Sequence, residues 1–229
     1  MKKSIGSNVR EVRARMAAAA ARAGRDPERI TLLAATKNRQ PEEIIEAVLA
    51  GVRVVGENRV QELLSKQAEV GDRAEWHFIG HLQKNKVKYL VGDVRLIHSV
   101  DSVELAREID RRAGTSGLSM QILLQVNVAG EQSKSGLAPD EVKDALGGIS
   151  ELGNVECRGL STIAPLVEDP REVRGVFRWL SALAREMEGL GLMSDPVLSM
   201  GMTNDFEVAI EEGSTIIRIG SAIFERDPD

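Results

Sequence analysis

Eight short apolar runs recur along the chain, and amphipathic stretches with helical spacing lie between them. In the clearest run, Thr31 to Thr36, both alternating faces are largely apolar, which indicates a strand buried on two sides. Strands that alternate with helices in this way predict a parallel sheet. The eight predicted strands cover residues 31–36, 52–58, 75–80, 95–100, 120–128, 155–161, 196–200 and 215–220.

The helical stretches complete a repeating strand–helix unit. One helix is predicted from Ile5 to Ala23, before the first strand, and another begins at Pro41, where acidic residues follow in the first turn. Eight units in 229 residues are typical of a closed (β/α)8 TIM barrel. We therefore predict an α/β fold with a single barrel domain over residues 1–229 and an extra N-terminal helix. The alternative is a doubly wound open sheet, but no GxGxxG motif follows the first strand.

Composition narrows the range of partners. The formal net charge is -5 and aromatic residues make up 3% of the chain, so there is neither a basic field nor a stacking surface for nucleic acid. No apolar run approaches membrane-spanning length, and no signal-peptide pattern opens the sequence. Cys157 is the single cysteine, so no internal disulfide forms and the cytoplasm is the expected location. These features favour a small-molecule role.

The first predicted strand leads directly to Lys37. A lysine that leaves the core at a strand end can be partly desolvated, which favours the neutral amine and allows it to form a Schiff base with a carbonyl. The alternative is a solvated lysine at the end of a strand, which is the commoner environment for this residue. Barrels carry their chemistry at the carboxyl ends of the strands, so the residues at the other strand ends decide between these two interpretations of Lys37.

Polar residues follow several other strands. Asn58 ends the second strand, and His81 follows the third. In the fifth, Gln125 and Asn127 share a face, so we expect both to point into the barrel, where they either line a ligand pocket or bond to each other or to buried water. His77 and His81 would lie too far apart on an extended strand to share an ion, so no metal site is expected.

The last two strands each run into a glycine turn. Gly201 follows the seventh strand, with Thr203 or Asn204 expected to cap the next helix. Gly220 follows the eighth, with Ser221 opening another helix. Backbone N–H groups and hydroxyls gathered at two such turns suit a dianionic phosphate, and barrels commonly bind phosphate at this place. Either turn alone is ordinary loop chemistry, so the prediction depends on the pair and on the lysine of the first strand.

Arg218 lies between two isoleucines in the eighth strand, where its side chain should be buried. A buried arginine stays charged and needs an acceptor, which is either a carboxylate of the barrel or a ring nitrogen or anionic group of a ligand. A Schiff-base lysine, a phosphate site and a buried arginine match the aldehyde, the phosphate and the pyridine nitrogen of pyridoxal 5'-phosphate. We therefore predict this cofactor.

Eight blocks of sequence resemble, in order and over nearly the whole length, the pyridoxal phosphate homeostasis protein family. The blocks are LLAATK, VGENRVQE, WHFIGHLQKNK, LIHSVDS, QVNVAGEQSKSG, RGLSTIAP, LSMGMTNDFEVAI and STIIRIGSAIF. The resemblance implies a barrel like the N-terminal domain of alanine racemase, with the cofactor on Lys37 and Arg218 near the pyridine nitrogen. It also implies that Gly220 and Ser221 hold the phosphate. The other cofactor-binding residues that it implies are Asn58, His81, Ser199, Met200, Gly201 and Thr203.

The resemblance further implies cofactor homeostasis rather than ordinary catalysis, through buffering and delivery of pyridoxal phosphate and through amino acid and keto acid balance. No catalytic residue is then expected, and the partners are the cofactor and the apo-enzymes that receive it, with the chain acting as a monomer. The alternatives are a racemase-like enzyme that uses the cofactor and a barrel that forms Schiff bases without it. A racemase needs a second base opposite the lysine, and the single tyrosine, Tyr89, is predicted on an exterior helix after the third strand.

Overall fold

The chain folds as a closed barrel of eight parallel strands. A computed structural model describes residues 4–131 and 135–225, and in it each strand pairs with the next while the last pairs with the first. The predicted barrel is confirmed, although most strands are shorter than predicted. Residues 132–134 of the QVNVAGEQSKSG block and residues 226–229 of the tail lie outside the described residues. The strands are Thr31–Ala35 (β1), Val54–Glu57 (β2), Glu75–Phe78 (β3), Leu96–Val100 (β4), Met120–Gln125 (β5), Val155–Ser161 (β6), Val197–Ser199 (β7) and Ile216–Ile219 (β8).

Helices fill the connections, and the extra N-terminal helix is confirmed. The α-helices are Ile5–Arg22 (α1), Pro41–Leu49 (α2), Val60–Val70 (α3), Val103–Thr115 (α4), Val142–Ser150 (α5), Arg174–Gly189 (α6), Phe206–Glu211 (α7) and Ser221–Phe224 (α8). Short 3-10 helices cover Pro27–Arg29, Gly71–Arg73, Lys84–Tyr89, Pro139–Glu141 and Pro170–Val173. Among the helices of the described ranges, none has both the length and the apolar character needed to cross a membrane.

The connection after β3 is a 3-10 helix, Lys84–Tyr89, rather than an α-helix. The buried Val87 of this helix and the buried Leu90 directly after it are three residues apart, and this spacing places them on one face of a 3-10 helix. Tyr89 is 40% exposed, and the ammonium group of Lys88 lies 4.8 Å from the centroid of its ring. The tyrosine therefore lies on the outside of the barrel, as predicted.

Two apolar clusters stabilise the fold. The larger lies between the sheet and the surrounding helices. The smaller fills the barrel interior with Leu33, Leu96, Leu123 and Ile216, which come from four different strands. Gly56 permits this packing, because a Cβ atom at that position would lie 2.5 Å from Cδ2 of Leu33. Residues of the same parity further along these strands also face inward, towards the carboxyl end of the barrel.

The N-terminal helix α1 packs against α7 and α8. Its first turn begins with a reciprocal cap between Ser4 and Ser7, which satisfies two backbone N–H groups. One turn later, the buried Nδ2 of Asn8 donates to the carbonyl oxygens of Ile223 (3.0 Å) and Glu225 (3.2 Å). The helix thereby fixes the segment that follows β8.

Candidate functional site

A cavity opens at the carboxyl ends of the strands, where barrel folds carry their binding sites. Its volume is about 380 Å³, and segments that follow β1, β2, β6, β7 and β8 line it. A larger cavity of about 580 Å³ lies at the opposite end, at the starts of β1, β7 and β8, and its wall contains other residues. Six of the ten predicted cofactor-binding residues line the first cavity, namely Lys37, Asn58, Thr203, Arg218, Gly220 and Ser221.

Lys37 occupies a tight turn after β1. The N–H of Arg39 donates to the carbonyl of Thr36 (3.0 Å), and Asn38 has a φ of 60°, a left-handed conformation that asparagine tolerates better than most residues. The side chain of Lys37 is exposed and borders the cavity. The structure therefore shows an accessible amine rather than the partly desolvated one considered from the sequence.

A buried ion pair lies beneath this turn. Lys66 on α3 donates from Nζ to Oε2 of Glu57 (2.7 Å) and to Oε2 of Glu62 (2.8 Å). The same ammonium group donates to the carbonyl of Thr36 (2.8 Å), and the Thr36 hydroxyl donates to Glu57 Oε2 (2.8 Å). The Glu57 side chain is fully buried, and that of Lys66 is 8% exposed. The residue directly before Lys37 is thus held through both its carbonyl and its hydroxyl.

The same carboxylates hold two further backbone groups of the site. The N–H of Asn58 donates to Oε1 of Glu57 (2.7 Å), and the N–H of Asn38 donates to Oε2 of Glu62 (3.0 Å). The hydrogen bond from Lys66 lowers the pKa of Glu62 to about 2. Lys66 was not predicted from the sequence, because its partner Glu57 lies 9 positions away. The one local signal was the i, i+4 spacing of Glu62 and Lys66.

The turns after β7 and β8 meet in the wall of the cavity. Ser221 Oγ donates to Thr203 Oγ1 (3.1 Å), and the N–H of Ala222 donates to the same oxygen (3.4 Å). Gly201 has a φ of 95°, and a Cβ atom there would lie 2.6 Å from that of Ala209, so this turn requires glycine. The two hydroxyls that belong to separate turns in the sequence therefore lie side by side.

The start of α7 differs from the predicted cap at Thr203 or Asn204. The cap is Asp205, whose Oδ1 accepts a hydrogen bond from the N–H of Met202 (2.6 Å). The Thr203 hydroxyl is bonded to Ser221 and Ala222 of α8 instead, and α7 begins at Phe206. Burial raises the pKa of the Asp205 carboxyl above its ordinary value.

Arg218 is buried among neutral partners. Its Nη1 donates to the carbonyl (2.7 Å) and the hydroxyl (2.6 Å) of Ser199, and its Nη2 donates to the carbonyl of Thr162 (2.8 Å). Burial lowers the pKa of Arg218 to about 10, while the charge of Asp205 acts in the opposite direction. Among the described residues no carboxylate forms an ion pair with this guanidinium, and three of its five N–H donors are used. The remaining donors are available to a ligand, which favours the second of the two sequence interpretations.

The other four predicted residues lie outside the cavity wall. Ser199 and Gly201 are buried beneath it, and Gly201 accepts a hydrogen bond from the backbone N–H of Arg218 (2.9 Å). Met200 is fully buried in the apolar core, and the side chain of His81 is 61% exposed. Ser199 and Gly201 therefore support Arg218, and contact of these four residues with a cofactor stays a prediction.

Gln125 and Asn127 hold the loop that follows β5. Gln125 Nε2 donates to the carbonyl of Ser135 (2.7 Å), and Asn127 Nδ2 donates to that of Glu131 (2.9 Å). Neither residue belongs to the cavity wall. Because β5 ends at Gln125, the inward alternation expected through Asn127 stops there. The two amides thus serve the loop rather than the pocket considered from the sequence.

The cavity wall fits the chemistry of pyridoxal 5'-phosphate. An exposed lysine amine suits an aldehyde, and paired hydroxyls beside backbone N–H groups suit a phosphate. The free N–H groups of a charged arginine suit the ring nitrogen as acceptor. The loop of residues 164–167 and the side chain of Met202 add the apolar surface that an aromatic ring needs.

The sequence matches the family described as "Alanine racemase, N-terminal domain" over residues 4–228. It is 48% identical over 211 residues to the "Pyridoxal phosphate homeostasis protein" of Aquifex aeolicus, an alignment that covers 92% of each chain. The solved structure of PipY from Synechococcus elongatus, described with PLP bound, is 37% identical and has a TM-score of 0.81. That comparison covers 93% of this chain and 100% of PipY.

The same fold extends to more distant proteins. Alanine racemase from Corynebacterium glutamicum is 16% identical, with a TM-score of 0.73 that covers 98% of this chain and 61% of that one. At this identity the likeness concerns the fold alone. The match to the family and the high identity to its curated relatives show that the chain belongs to the pyridoxal phosphate homeostasis protein family, within the alanine racemase N-terminal domain fold.

Proposed function

We propose that this protein binds pyridoxal 5'-phosphate in the cavity and holds it for buffering and delivery rather than for rapid turnover of a substrate. One observation carries the proposal: an exposed lysine amine, two adjacent hydroxyls and a charged arginine with free N–H groups line a single cavity. The relatives support it, because the Aquifex protein is named for pyridoxal phosphate homeostasis and PipY is described with PLP bound.

Each group in the cavity has a distinct role in this proposal. When bound, the cofactor supplies an aldehyde that forms reversible C=N bonds with amines and a ring that withdraws electrons. The Lys37 amine would form such a Schiff base, while Thr203 and Ser221 would donate to the phosphate beside Gly220. Arg218 has a pKa of about 10, so it keeps its proton at neutral pH and would donate a hydrogen bond to the ring nitrogen. Asn58, His81, Ser199, Met200 and Gly201 would complete the surroundings.

Removal of the phosphate from the ligand should weaken binding strongly. Two charge-assisted hydrogen bonds, at about 1.5–3 kcal/mol each, correspond to at least a roughly 100-fold difference in Kd between pyridoxal 5'-phosphate and pyridoxal. Absorbance titration of the protein with each compound measures it. The double variant Thr203→Val with Ser221→Ala should reduce the difference, whereas Thr115→Val, on the exposed end of α4, should keep it. Equal affinity for the two compounds would refute the phosphate site.

The protein should not racemise amino acids at ordinary enzyme rates. Racemisation needs a base on each face of the cofactor ring, one that removes the α-proton and one that returns it. Lys37 serves one face, but Tyr89 lies on the outside of the barrel and His81 is exposed and outside the cavity wall. We therefore expect D-alanine to form from L-alanine at less than about one turnover per second in deuterated water, where NMR also follows exchange of the α-proton. Faster formation of the D-isomer that disappears in Lys37→Ala would favour the racemase-like alternative.

The wider proposal is a monomeric cytoplasmic carrier, one domain over residues 1–229, whose recipients are apo-enzymes that depend on pyridoxal 5'-phosphate. The exposed position of Lys37 supports delivery, because an incoming amine can reach the C=N bond without prior opening of the barrel. Mixing of loaded protein with an apo-enzyme should activate that enzyme faster than the cofactor is released into buffer. If the apo-enzyme is activated no faster than the cofactor is released into buffer, the protein stores the cofactor but does not deliver it directly.

A further inference from the structure

A series of hydrogen bonds crosses the barrel interior and ends at Arg218. Ser199 Oγ, which accepts from Arg218 Nη1 (2.6 Å), lies 2.8 Å from His98 Nδ1. His98 Nε2 lies 2.9 Å from His77 Nδ1, and His77 Nε2 lies 2.9 Å from Oε1 of Glu75. The two histidines and Ser199 are buried, whereas Glu75, the first residue of β3, has a side chain that is 49% exposed. The bonds therefore join the cavity to the amino end of the barrel.

The groups at the two ends fix the protons between them. Arg218 only donates, and an ionised Glu75 only accepts. Glu75 therefore accepts from Nε2–H of His77, and a neutral His77 then accepts at Nδ1 from Nε2–H of His98. A neutral His98 in turn accepts at Nδ1 from the Ser199 hydroxyl, whose lone pairs stay free for Arg218. With both rings neutral, this is the one proton arrangement that satisfies all four contacts.

The surroundings favour a neutral His98 ring and an ionised Glu75. Burial lowers the pKa of His98 well below its ordinary value, and the charge of Arg218 adds to the effect. The hydrogen bond from His77 lowers the pKa of Glu75, so this carboxyl is ionised, and only an acceptor, at neutral pH. His98 thus carries a single ring proton, and opposite a neutral His77 that proton lies on Nε2, away from Ser199.

We propose that His98 and His77 are positioning residues for Arg218, and that the fixed proton direction from Arg218 to Glu75 holds the guanidinium for its contact with the cofactor. The contact with the cofactor rests on the proposed function. The proton order does not, because it follows from groups of the chain alone. Glu75, at the far end of the barrel, would then influence a cavity that it does not touch.

The substitution Glu75→Gln removes the constraint with little change in shape. An amide can donate as well as accept, so the whole series can reverse: Gln to His77 Nε2, His77 Nδ1–H to His98 Nε2, and His98 Nδ1–H to Ser199. In the reversed order Ser199 accepts from both His98 and Arg218, and its own proton loses its acceptor. Glu156→Gln is the matched control, because Glu156 also has a side chain that is 49% exposed but bonds to Gln121 and Arg158 instead.

The first measurement is 15N NMR of the histidine rings in protein without added cofactor. In the wild type and in Glu156→Gln, we expect His77 and His98 to carry their protons on Nε2 alone. In Glu75→Gln, His98 should show a mixture of the two neutral tautomers. A single Nε2–H tautomer of His98 in Glu75→Gln, or a mixture in the wild type, would overturn the proposed proton order.

The second measurement is the Kd for pyridoxal 5'-phosphate. Relative to Glu156→Gln, we expect binding to weaken about threefold in Glu75→Gln and about tenfold in His98→Leu, with partial recovery in His98→Asn, whose amide oxygen can still accept from Ser199. Equal Kd values in the two glutamine variants would overturn the positioning role. If the wild-type protein binds no cofactor, the proposed function fails, while the tautomers still decide the proton order.

Discussion

Replacement of Lys37 by alanine should abolish covalent attachment of pyridoxal 5'-phosphate and leave the barrel folded. The side chain is exposed and lies outside both apolar clusters, so its loss removes the amine without opening a hole in the core. The visible or near-ultraviolet band of the imine, which lies beyond the protein absorbance, should vanish completely. Far-ultraviolet circular dichroism and the midpoint of urea unfolding should stay close to those of the wild type.

Chemical trapping makes this prediction sharper. Borohydride reduces the C=N bond, so peptide mass mapping of the reduced wild-type protein should find the pyridoxyl group on the peptide that contains Lys37. Lys84→Ala is the matched control, because Lys84 is also exposed but lies on the 3-10 helix after β3, outside the cavity wall. A full band in Lys37→Ala, or an adduct on another lysine alone, would contradict the assignment.

The features that the sequence predicted well are those set by local periodicity. The alternation of apolar residues around Leu33 gives the inward-facing side of β1. Gly201, with a φ of 95°, marks a turn that requires glycine, and Gly220 marks the turn after β8. Lys37 could be selected because it follows an apolar strand directly, and Arg218 because a charged side chain between two isoleucines of a buried strand is uncommon. Each of these inferences needs only neighbouring residues, and each places its residue at the correct end of the barrel.

The features that the sequence left open depend on contacts between distant residues. His98 and Ser199 are 101 positions apart, and Arg218 bonds to the carbonyl of Thr162, 56 positions away. Backbone carbonyl acceptors leave no pattern in the amino-acid sequence, so the sequence alone could not decide whether a carboxylate or a ligand accepts from Arg218. Asn127 was misread for a different reason, because alternation predicts facing only while the strand continues, and β5 ends at Gln125.

The second large effect is expected at the buried ion pair beneath the Lys37 turn. Lys66→Met keeps most of the side-chain length but leaves the fully buried Glu57 carboxylate without its cation. Breaking a buried pair in this way typically costs about 3–5 kcal/mol of unfolding free energy. Urea unfolding followed by circular dichroism should show a lower midpoint at an unchanged slope. The control is the surface ion pair of Arg111 and Glu108 on α4. Arg111→Met leaves no fully buried charge without a partner, so it should change the urea midpoint far less.

A double variant separates the loss of the pair from the loss of packing. In Lys66→Met with Glu57→Gln both charges are gone, and the amide can still accept from Asn58 N–H, so most of the stability should return. The Thr36 carbonyl, however, still lacks the ammonium group that held it, so the turn that carries Lys37 stays loosened. We therefore expect the double variant to regain stability but to form the imine with pyridoxal 5'-phosphate more slowly than the wild type. If the double variant is less stable than Lys66→Met, the unpaired Glu57 carboxylate is not the cause of the stability lost in Lys66→Met. If the double variant regains its stability and also forms the imine at the wild-type rate, Lys66 serves folding alone and does not position Lys37.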